Sequence, residues 1–495
     1  MLWRDLKVWQ IYGANTDVGK TILSTILCKA LARRARTNEL LYLKPISTGP
    51  DNEADDRHIK KFAPGVLSKC LKQYSRPLSP HLAAQIDEGR DHLDLRVGKL
   101  TSADHDILSK IRNALNGHQQ AGGRYGLLET AGGVLSPTPS GSVQADLYRP
   151  LRLPVLLMGD AKLGGIGTTI SAFESLLIRG YDVESIMLLD LPQWGNADYL
   201  KEYFAQKNIG VHKLPPPPQR HEKESVDEEQ LAEYYEQTSQ SSIITRLLDN
   251  IHAKQFARTS KLTSMPSHAE SIIWHPFRQY GLPQNVIAID SAYENHFEAY
   301  NQETDSAAKI EDSGPGLQPL QSSSPSTPLL TPLFDASASW WTQGLGHGNP
   351  NLSLAAANAA GRYGHVMFAN AVHEPALYLC YNLLDMLKNP RSARVFFTDN
   401  GSAGMEVAVK MALRSASKRY GWDEDKDGML GILGLSGSYH GDTIGVMNCS
   451  EPSAFNEKVD WYKPWGYWFQ PPEIKLVKGQ WTITVPVEQA EDKHA

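Results

Sequence analysis

The chain has 495 residues, which is too long for one ordinary domain and predicts two or three. Its 41% hydrophobic and 21% charged residues are typical of a soluble globular protein, and its small net charge of −6 indicates neither nucleic acid nor another highly charged partner. No run of about eighteen apolar residues occurs, so we expect no membrane-spanning helix.

The start of the chain, MLWRDLKVWQ, lacks the apolar stretch of a secretory signal and contains no obvious transit peptide. The four cysteines are scattered without a CxxC pair, which is typical of reduced intracellular thiols rather than of disulfides or a zinc site. These features predict a cytoplasmic protein.

The first half alternates short apolar segments with stretches of helical periodicity. The segments VWQIY, LLYL, GLLE, PVLLMG and SIMLLD are each followed by a turn signal and usually by a helical pattern. This alternation predicts a doubly wound, mostly parallel sheet of the α/β class. A further amphipathic helix is predicted at residues 226–252, and we place the end of this first domain at residue 255.

The second predicted domain covers residues 256–495. It contains a Ser/Pro-rich stretch, EDSGPGLQPLQSSSPSTPLLTP at residues 311–332, whose low hydrophobic content predicts a disordered insert. From LFDASASWW onward the composition is again that of a globular domain.

The segment GANTDVGKT, at residues 13–21, lies between the first predicted strand and the first predicted helix. A Gly-rich turn in this position directs backbone N–H groups at a polyphosphate, to which the helix dipole and a lysine add positive charge. Lys20 would then reach the β- and γ-phosphates of ATP, and Thr21 would hold Mg²⁺. Ala14 replaces the first glycine of the usual G-x4-G-K-[ST] spacing, so the loop is a variant. The predicted ATP-binding residues are Gly13, Asn15, Thr16, Asp17, Val18, Gly19, Lys20 and Thr21.

This variant loop resembles the G-T-D-T-x-V-G-K-T loop of dethiobiotin synthetases. YLKPISTGP, EADDRHI, LSPHLAAQIDEGR, LLETAGGVLSPTP and PVLLMGDAKLGGIGTTI resemble further segments of that family in the same order, over about residues 7–190. The resemblance implies a P-loop enzyme of biotin biosynthesis that uses ATP and Mg²⁺ to convert 7,8-diaminononanoate and CO₂ into dethiobiotin. In that reaction a carbamate forms on one amine, ATP phosphorylates it, and the second amine closes the ureido ring.

The same resemblance implies the catalytic and metal-binding residues. Lys44 would bind the carbamate and act with Lys20, while Thr48 would form a hydrogen bond nearby. Asp55 and Glu129 would complete the Mg²⁺ shell begun by the loop threonine, because carboxylate oxygens suit that ion. The adjacent acidic residue at position 56 remains an alternative to Asp55, and the contacts to adenine stay open.

A Gly-rich helix start holds the substrate carboxylate in that family, and it does so from the partner subunit. The resemblance therefore implies a homodimer. The residues that correspond to this helix start are Gly164, Gly165, Ile166 and Gly167. Gly132 is a further predicted substrate-binding residue.

The second half resembles the amino-terminal part of diaminononanoate aminotransferases, which are pyridoxal-phosphate enzymes of the type I fold. The resemblance is carried by WHPFRQY, DASASWWTQGLGH, GHVMFANAVHEPALYL, FFTDNGSAGMEVAVKMALR and SGSYHGDTIGVM. It implies that a helix start binds the cofactor phosphate, that Tyr439 stacks on the pyridine ring with Asp442 beside it, and that Trp340 and Phe277 line the substrate pocket. The predicted phosphate-binding residues are Gly401, Ser402 and Ala403.

An aminotransferase also needs a lysine that binds the cofactor covalently and an acid beside the pyridine nitrogen. In the resembled family both lie well downstream of SYHGDT, whereas this sequence ends at Ala495, and its last lysines have no similar context. The expectation is an aminotransferase-like half that is incomplete, with pyridoxal phosphate held non-covalently if at all and aminotransferase activity unlikely from this chain alone.

The order synthetase, then aminotransferase, resembles the bifunctional proteins of some eukaryotic biotin pathways, which adds the mitochondrion to the expected locations. Three alternatives remain open beside a synthetase with an incomplete second half. The chain could belong to a complete bifunctional enzyme, be a non-enzymatic P-loop nucleotide switch, or use its second half as a scaffold for an intact aminotransferase.

Overall fold

A computed structural model of the protein describes residues 1–36, 38–89, 100–275, 285–301 and 328–485. The chain separates into two compact units, Met1–Gly364 and His365–Ala495. Phe277 and residues 311–327 of the predicted insert lie outside the described residues.

A seven-stranded sheet forms the centre of the first unit. All its neighbouring strands pair in parallel, in the order β3-β2-β4-β1-β5-β6-β7. The α/β prediction is therefore confirmed. The strands are β1 (Lys7–Gly13), β2 (Leu40–Thr48), β3 (Leu67–Tyr74), β4 (Tyr125–Gly133), β5 (Val155–Met158), β6 (Val183–Leu189) and β7 (Gly210–Leu214).

Helices cover both faces of this sheet and bury its central strands on two sides, which explains their nearly continuous apolar sequences. The helices of this part are α1 (Lys20–Ala32), α2 (Asp55–Phe62), α3 (Pro80–Glu88), α4 (Ser102–Gln120), α5 (Gln144–Leu147), α6 (Gly165–Leu177), α7 (Asn196–Ala205), α8 (Glu224–Ser239) and α9 (Ser242–Ile272), with 3-10 turns at Asp51–Glu53, Arg149–Leu151 and Pro192–Trp194.

The single helix predicted at residues 226–252 is wrong, because the chain breaks between α8 and α9. Ser241 caps the start of α9 by accepting a hydrogen bond from the Ile244 N–H. A serine hydroxyl satisfies an otherwise unpaired amide there, so a new helix begins instead of the old one continuing. The predicted domain end at residue 255 lies inside α9, and where the functional domains divide stays a prediction.

A small antiparallel sheet follows in the same unit, in the order β10-β9-β8. It is held against the rest of the unit by Asp290, which pairs with Arg152 and Arg258. Strand β10 includes residues 330–332, which the sequence assigned to the insert. The elements are β8 (Ile289–Tyr293), β9 (His296–Tyr300), β10 (Leu330–Phe334), α10 (Ala338–Trp341) and α11 (Pro350–Tyr363).

The second unit has four helices and two short two-stranded sheets among its described residues. Few of its described side chains are buried, Val446 and Cys449 among them. None of the helices in the described part of the chain is long and apolar enough to cross a membrane. The elements are α12 (Glu374–Leu387), α13 (Gly401–Tyr420), α14 (Glu424–Asp427), β11 (Ile432–Leu435), α15 (Ile444–Met447), β12 (Gly466–Phe469), β13 (Glu473–Val477) and β14 (Gln480–Thr484).

Candidate active site

The loop at residues 13–19 joins the central strand β1 to helix α1, as the sequence predicts. Gly13 ends the strand, and a side chain at this position would meet the carbonyl oxygen of Asn15 at 2.7 Å. Gly19 adopts a left-handed conformation with φ of +99°, which suits glycine and lets the chain turn into the helix. The backbone therefore forms a compact loop at a helix N-terminus, where an anion is favoured.

Lys20 lies under this loop and is only 8% exposed. Its Nζ donates to the carbonyl oxygen of Asn15 at 3.4 Å. Burial, and then the neighbouring charge of Lys44, lower the pKa of Lys20 to about 8, although Glu129 and Asp55 oppose the shift. An ammonium that is poorly solvated in this way gains from the approach of a phosphate group.

Four predicted residues meet beside the loop. Lys44 Nζ lies 2.7 Å from Glu129 Oε1 and 2.7 Å from Asp55 Oδ2. Thr21 Oγ1 lies 2.7 Å from Asp55 Oδ1 and 3.1 Å from Glu129 Oε1. Asp56 faces elsewhere and pairs with Lys60 at 2.9 Å. Of the two adjacent acids, Asp55 is the one that joins the cluster.

The parallel sheet explains why these residues converge. Strands β2 and β4 are neighbours, and their register pairs Leu43 with Leu128, so that Lys44 and Glu129 follow side by side. Both lie at the middle of nine-residue strands. Asp55 is the first residue of α2, and Thr21 lies in the first turn of α1.

The cluster contains two lysines and two carboxylates, of which Lys20, Lys44 and Glu129 are buried and Asp55 is half-buried. Burial alone would lower the pKa of Lys44, but Glu129 and Asp55 outweigh it and raise that pKa above the usual range. Burial likewise opposes ionisation of Asp55, but Lys44 and Thr21 hold its pKa below the usual range. Lys44 thus stays protonated and Asp55 ionised at neutral pH.

The oxygen atoms of this cluster fit Mg²⁺. A threonine hydroxyl and two carboxylates are hard donors of the kind that this ion prefers. Within the described ranges, no group of three His, Cys, Asp or Glu side chains converges as a metal site. The protein oxygens that this cluster would offer are those of Asp55, Glu129 and Thr21.

Two residues that the sequence analysis missed also contact Glu129. Ser24 and Tyr42 are buried, and their hydroxyls donate to Glu129 Oε2 at 2.5 and 2.9 Å. Tyr42 lies two residues before Lys44 on one strand, and Ser24 lies three residues after Thr21 on one helix, so each shares a face with a predicted residue. Neither spacing identifies Glu129 as the common partner.

The remaining predicted substrate residues lie on nearby loops and helix ends. Thr48 ends β2 and is half-buried. Gly132 has φ of +68°, and a side chain there would meet Ser136 Oγ at 2.6 Å. At the start of α6, Gly164 and Gly167 are exposed and Ile166 is half-buried. A side chain at Gly165 would overlap the carbonyl oxygen of Asp160.

In the second unit, most of the residues predicted for pyridoxal phosphate come together at the start of α13. The Asp442 N–H donates to Ser402 Oγ at 3.2 Å, and Tyr439 OH donates to Asp442 Oδ2 at 2.8 Å. Gly401 begins the helix, and the Ala403 N–H donates to Asn400 Oδ1 at 2.9 Å. Backbone amides at a helix start and a tyrosine nearby suit a phosphate and an aromatic ring, although a phosphate would compete with Asn400.

Trp340 was predicted to line the substrate pocket of the aminotransferase-like half. It belongs to the first unit. Its side chain is 71% exposed, and its backbone is left-handed with φ of +60°.

Comparisons with known proteins match the chain in two consecutive regions. The family described as an AAA domain matches residues 9–219, and the family described as aminotransferase class-III matches residues 331–494. A protein of Emericella nidulans, named "Bifunctional dethiobiotin synthetase/adenosylmethionine-8-amino-7-oxononanoate aminotransferase", is 48% identical over 98% of this chain and 59% of its own length.

Two further relatives agree with this division. The rice protein named "Bifunctional dethiobiotin synthetase/7,8-diamino-pelargonic acid aminotransferase, mitochondrial" is 33% identical over 96% of this chain and 61% of its own length. An "ATP-dependent dethiobiotin synthetase" of Lawsonia intracellularis is 30% identical over 39% of this chain and 81% of its own length.

The chain spans about 60% of the length of the bifunctional relatives it matches. Since those relatives are named for both activities, the expectation that aminotransferase activity is unlikely is not supported. The expected order of the two regions is confirmed. The chain therefore belongs to the dethiobiotin synthetase family, within which it matches proteins that are named for both a synthetase and an aminotransferase.

Proposed function

We propose that the chain is an ATP-dependent dethiobiotin synthetase acting on 7,8-diaminononanoate and CO₂. The observation that carries the proposal is the convergence of Lys44, Thr21, Asp55 and Glu129 beside a phosphate-binding loop. Phosphoryl transfer needs positioning and neutralisation of charge more than it needs a covalent intermediate on the protein. Two lysines and a cluster of oxygen ligands supply both.

The reaction divides among these residues as follows. One amine of the substrate takes up CO₂ to form a carbamate, which the ammonium of Lys44 binds. The γ-phosphoryl group of ATP passes to a carbamate oxygen, while Lys20 neutralises charge on the β- and γ-phosphates. The second amine then attacks the carbamate carbon, inorganic phosphate leaves, and the ureido ring closes. Thr21, Asp55 and Glu129 would hold Mg²⁺, which supplies further neutralisation of the phosphate charge.

The contacts to the carbon chain of the substrate follow from the same proposal. Thr48 and Gly132 lie at the ends of the strands that carry Lys44 and Glu129, which supports a place for them around the reacting end. The amides of Gly164, Gly165, Ile166 and Gly167 begin a thirteen-residue helix, α6. Helix starts favour carboxylates, so these residues would hold the far end of a substrate bound in the partner subunit of a homodimer.

The decisive experiment measures dethiobiotin by mass spectrometry after incubating the purified chain with 7,8-diaminononanoate, bicarbonate, Mg²⁺ and ATP. The expected result is product formation that depends on the diamine and is lost in Lys20→Ala. Release of ADP that ignores the diamine, without ring product, would overturn the proposal in favour of a nucleotide switch.

A contribution to amino transfer is a second candidate, supported by the contacts among Ser402, Tyr439 and Asp442 at the start of α13. Pyridoxal phosphate would place its phosphate on the amides of Gly401, Ser402 and Ala403, with Tyr439 on its ring. When bound, this cofactor supplies the electron sink for amino transfer. The test follows cofactor absorbance during titration of the chain, and Tyr439→Ala should weaken binding if the assignment holds.

The location of the protein stays a prediction. The rice relative is named as mitochondrial, and the sequence features of this chain are compatible with the cytosol as well.

A further inference from the structure

The carboxylate of Glu129 is completely buried and has its two oxygens divided between two pairs of donors. Oε1 faces Lys44 and Thr21, at 2.7 and 3.1 Å. Oε2 accepts from the hydroxyls of Ser24 and Tyr42, at 2.5 and 2.9 Å. One oxygen therefore faces the charged cluster, and the other is enclosed by two neutral hydroxyls.

We propose that Tyr42 and Ser24 are positioning residues, which hold Glu129 so that Oε1 alone is presented to the metal ion and to Lys44. The inference rests on the proposed function only through the Mg²⁺ site. It gives a role to Tyr42 and Ser24, which have none in the proposed reaction.

The two hydroxyls reach Glu129 from different elements. Tyr42 and Lys44 lie two residues apart on β2, so their side chains project from the same face of the sheet. Ser24 lies one helical turn after Thr21 on α1, so these two side chains share one face of that helix. The strand and the helix each supply one donor to Oε1 and one to Oε2.

Burial makes this arrangement restrictive. Tyr42 and Ser24 are both 0% exposed, as is Glu129, so no bulk water can replace a missing donor without a rearrangement. Hydrogen bonds to an ionised carboxylate are shorter and stronger than those between neutral groups. Without the two donors, the carboxylate can rotate away from the orientation in which Oε1 faces the metal site, and a ligand of poorer geometry results.

The test compares Tyr42→Phe and Ser24→Ala with two matched controls. Tyr12 is equally buried in the sheet, but its hydroxyl donates to the carbonyl oxygen of Gln144 at 3.1 Å. Ser185 is equally buried and donates to the carbonyl oxygen of Gly210 at 3.1 Å. Tyr12→Phe and Ser185→Ala therefore remove the same atoms without touching a charged group.

The measurement is the affinity for Mn²⁺, used as a paramagnetic probe, in the presence of the β,γ-imido analogue of ATP. Loss of an outer partner of a metal ligand typically costs roughly 10–100-fold in metal affinity, and we expect that range for Tyr42→Phe and Ser24→Ala. The controls should bind Mn²⁺ like the wild type. Affinity for the ATP analogue without metal should not change in any variant.

Three results would overturn the inference. Wild-type Mn²⁺ affinity in Tyr42→Phe and Ser24→Ala would do so, as would an equal loss in the controls. Failure of both variants to fold, with both controls folded in a thermal melt, would assign the hydroxyls to stability instead. Dethiobiotin formation by the wild type is measured in parallel. If metal binding depends on Tyr42 and Ser24 but no dethiobiotin forms, only the proposed function fails.

Discussion

Lys44 Nζ lies 2.7 Å from Asp55 Oδ2, and this ion pair joins the middle of strand β2 to the first residue of helix α2. Only 4% of the Lys44 side chain is exposed, against 28% of the Asp55 side chain. The pair therefore lies at the boundary between the core and the solvent. Its lysine also compensates the fully buried carboxylate of Glu129.

Replacing Lys44 by methionine should remove activity and also lower the free energy of unfolding. Removing one partner of a buried ion pair leaves an uncompensated charge and typically costs about 3–5 kcal/mol. Urea denaturation measures this cost, and dethiobiotin formation measures the activity. Lys110→Met is the matched control, because Lys110 pairs with Asp106 at the surface, where a pair contributes up to about 1 kcal/mol. Equal stabilities of the two variants would contradict the expectation.

The sequence was sufficient to predict the strand–helix alternation and the loop between β1 and α1. Both are encoded locally, by the periodicity of apolar residues and by turn residues. The sequence was insufficient to choose between Asp55 and Asp56. Adjacent residues on a helix point in directions about 100° apart. Which one faces Lys44 depends on how α2 docks against the sheet, and that is a tertiary property.

The contacts of Tyr42 and Ser24 could not be predicted for a related reason. An aromatic residue in an apolar strand and a serine in an apolar helix are both compatible with ordinary packing. Their significance arises because β2, β4 and α1 meet at Glu129, and no segment contains that information alone. The break between α8 and α9 was also not predicted from the sequence. It depends on Ser241, whose hydroxyl caps the start of α9.

The affinity for ATP should fall as the pH rises through about 8. Burial and the charge of Lys44 lower the pKa of Lys20 to about 8, and bound phosphates favour its protonated form. Above that pH, Lys20 of the free chain is mostly deprotonated and has to take up a proton when ATP binds. This weakens ATP binding by up to about tenfold per pH unit. Titration with a fluorescent ATP analogue without metal measures the slope.

Lys20→Arg provides the control for this prediction, because a guanidinium remains charged throughout the range. Its affinity should be nearly independent of pH between about 7 and 10, whatever its absolute value. The same slope in Lys20→Arg and in the wild type would show that a different group titrates.

Glu184→Gln should stabilise the protein at pH 8. Burial raises the pKa of Glu184 to about 7, from 4.5, although Lys254 opposes the shift. The unfolded chain thus loses the proton at lower pH than the folded chain, and wild-type stability falls as the pH rises between 4.5 and about 7. A neutral amide avoids this cost, so we expect a gain on the order of 1–3 kcal/mol at pH 8 and little difference at pH 4. Urea denaturation at the two pH values measures it, and an equal effect at both would contradict the assignment.

Two glycines at the start of α6 should respond oppositely to alanine. A side chain at Gly165 would overlap the backbone of Asp160, whereas nothing lies within 4 Å of the position of a side chain at Gly167. Gly165→Ala should lose about 1–3 kcal/mol of stability through overpacking. Gly167→Ala should gain up to about 1 kcal/mol, because alanine is the better helix former.

Both variants keep the backbone N–H that would hold the substrate carboxylate. Gly167→Ala should therefore keep a nearly unchanged KM for 7,8-diaminononanoate, while Gly165→Ala raises it by displacing the helix start. Urea denaturation and steady-state kinetics measure the two effects, and a destabilised Gly167→Ala would contradict the open space seen at that position.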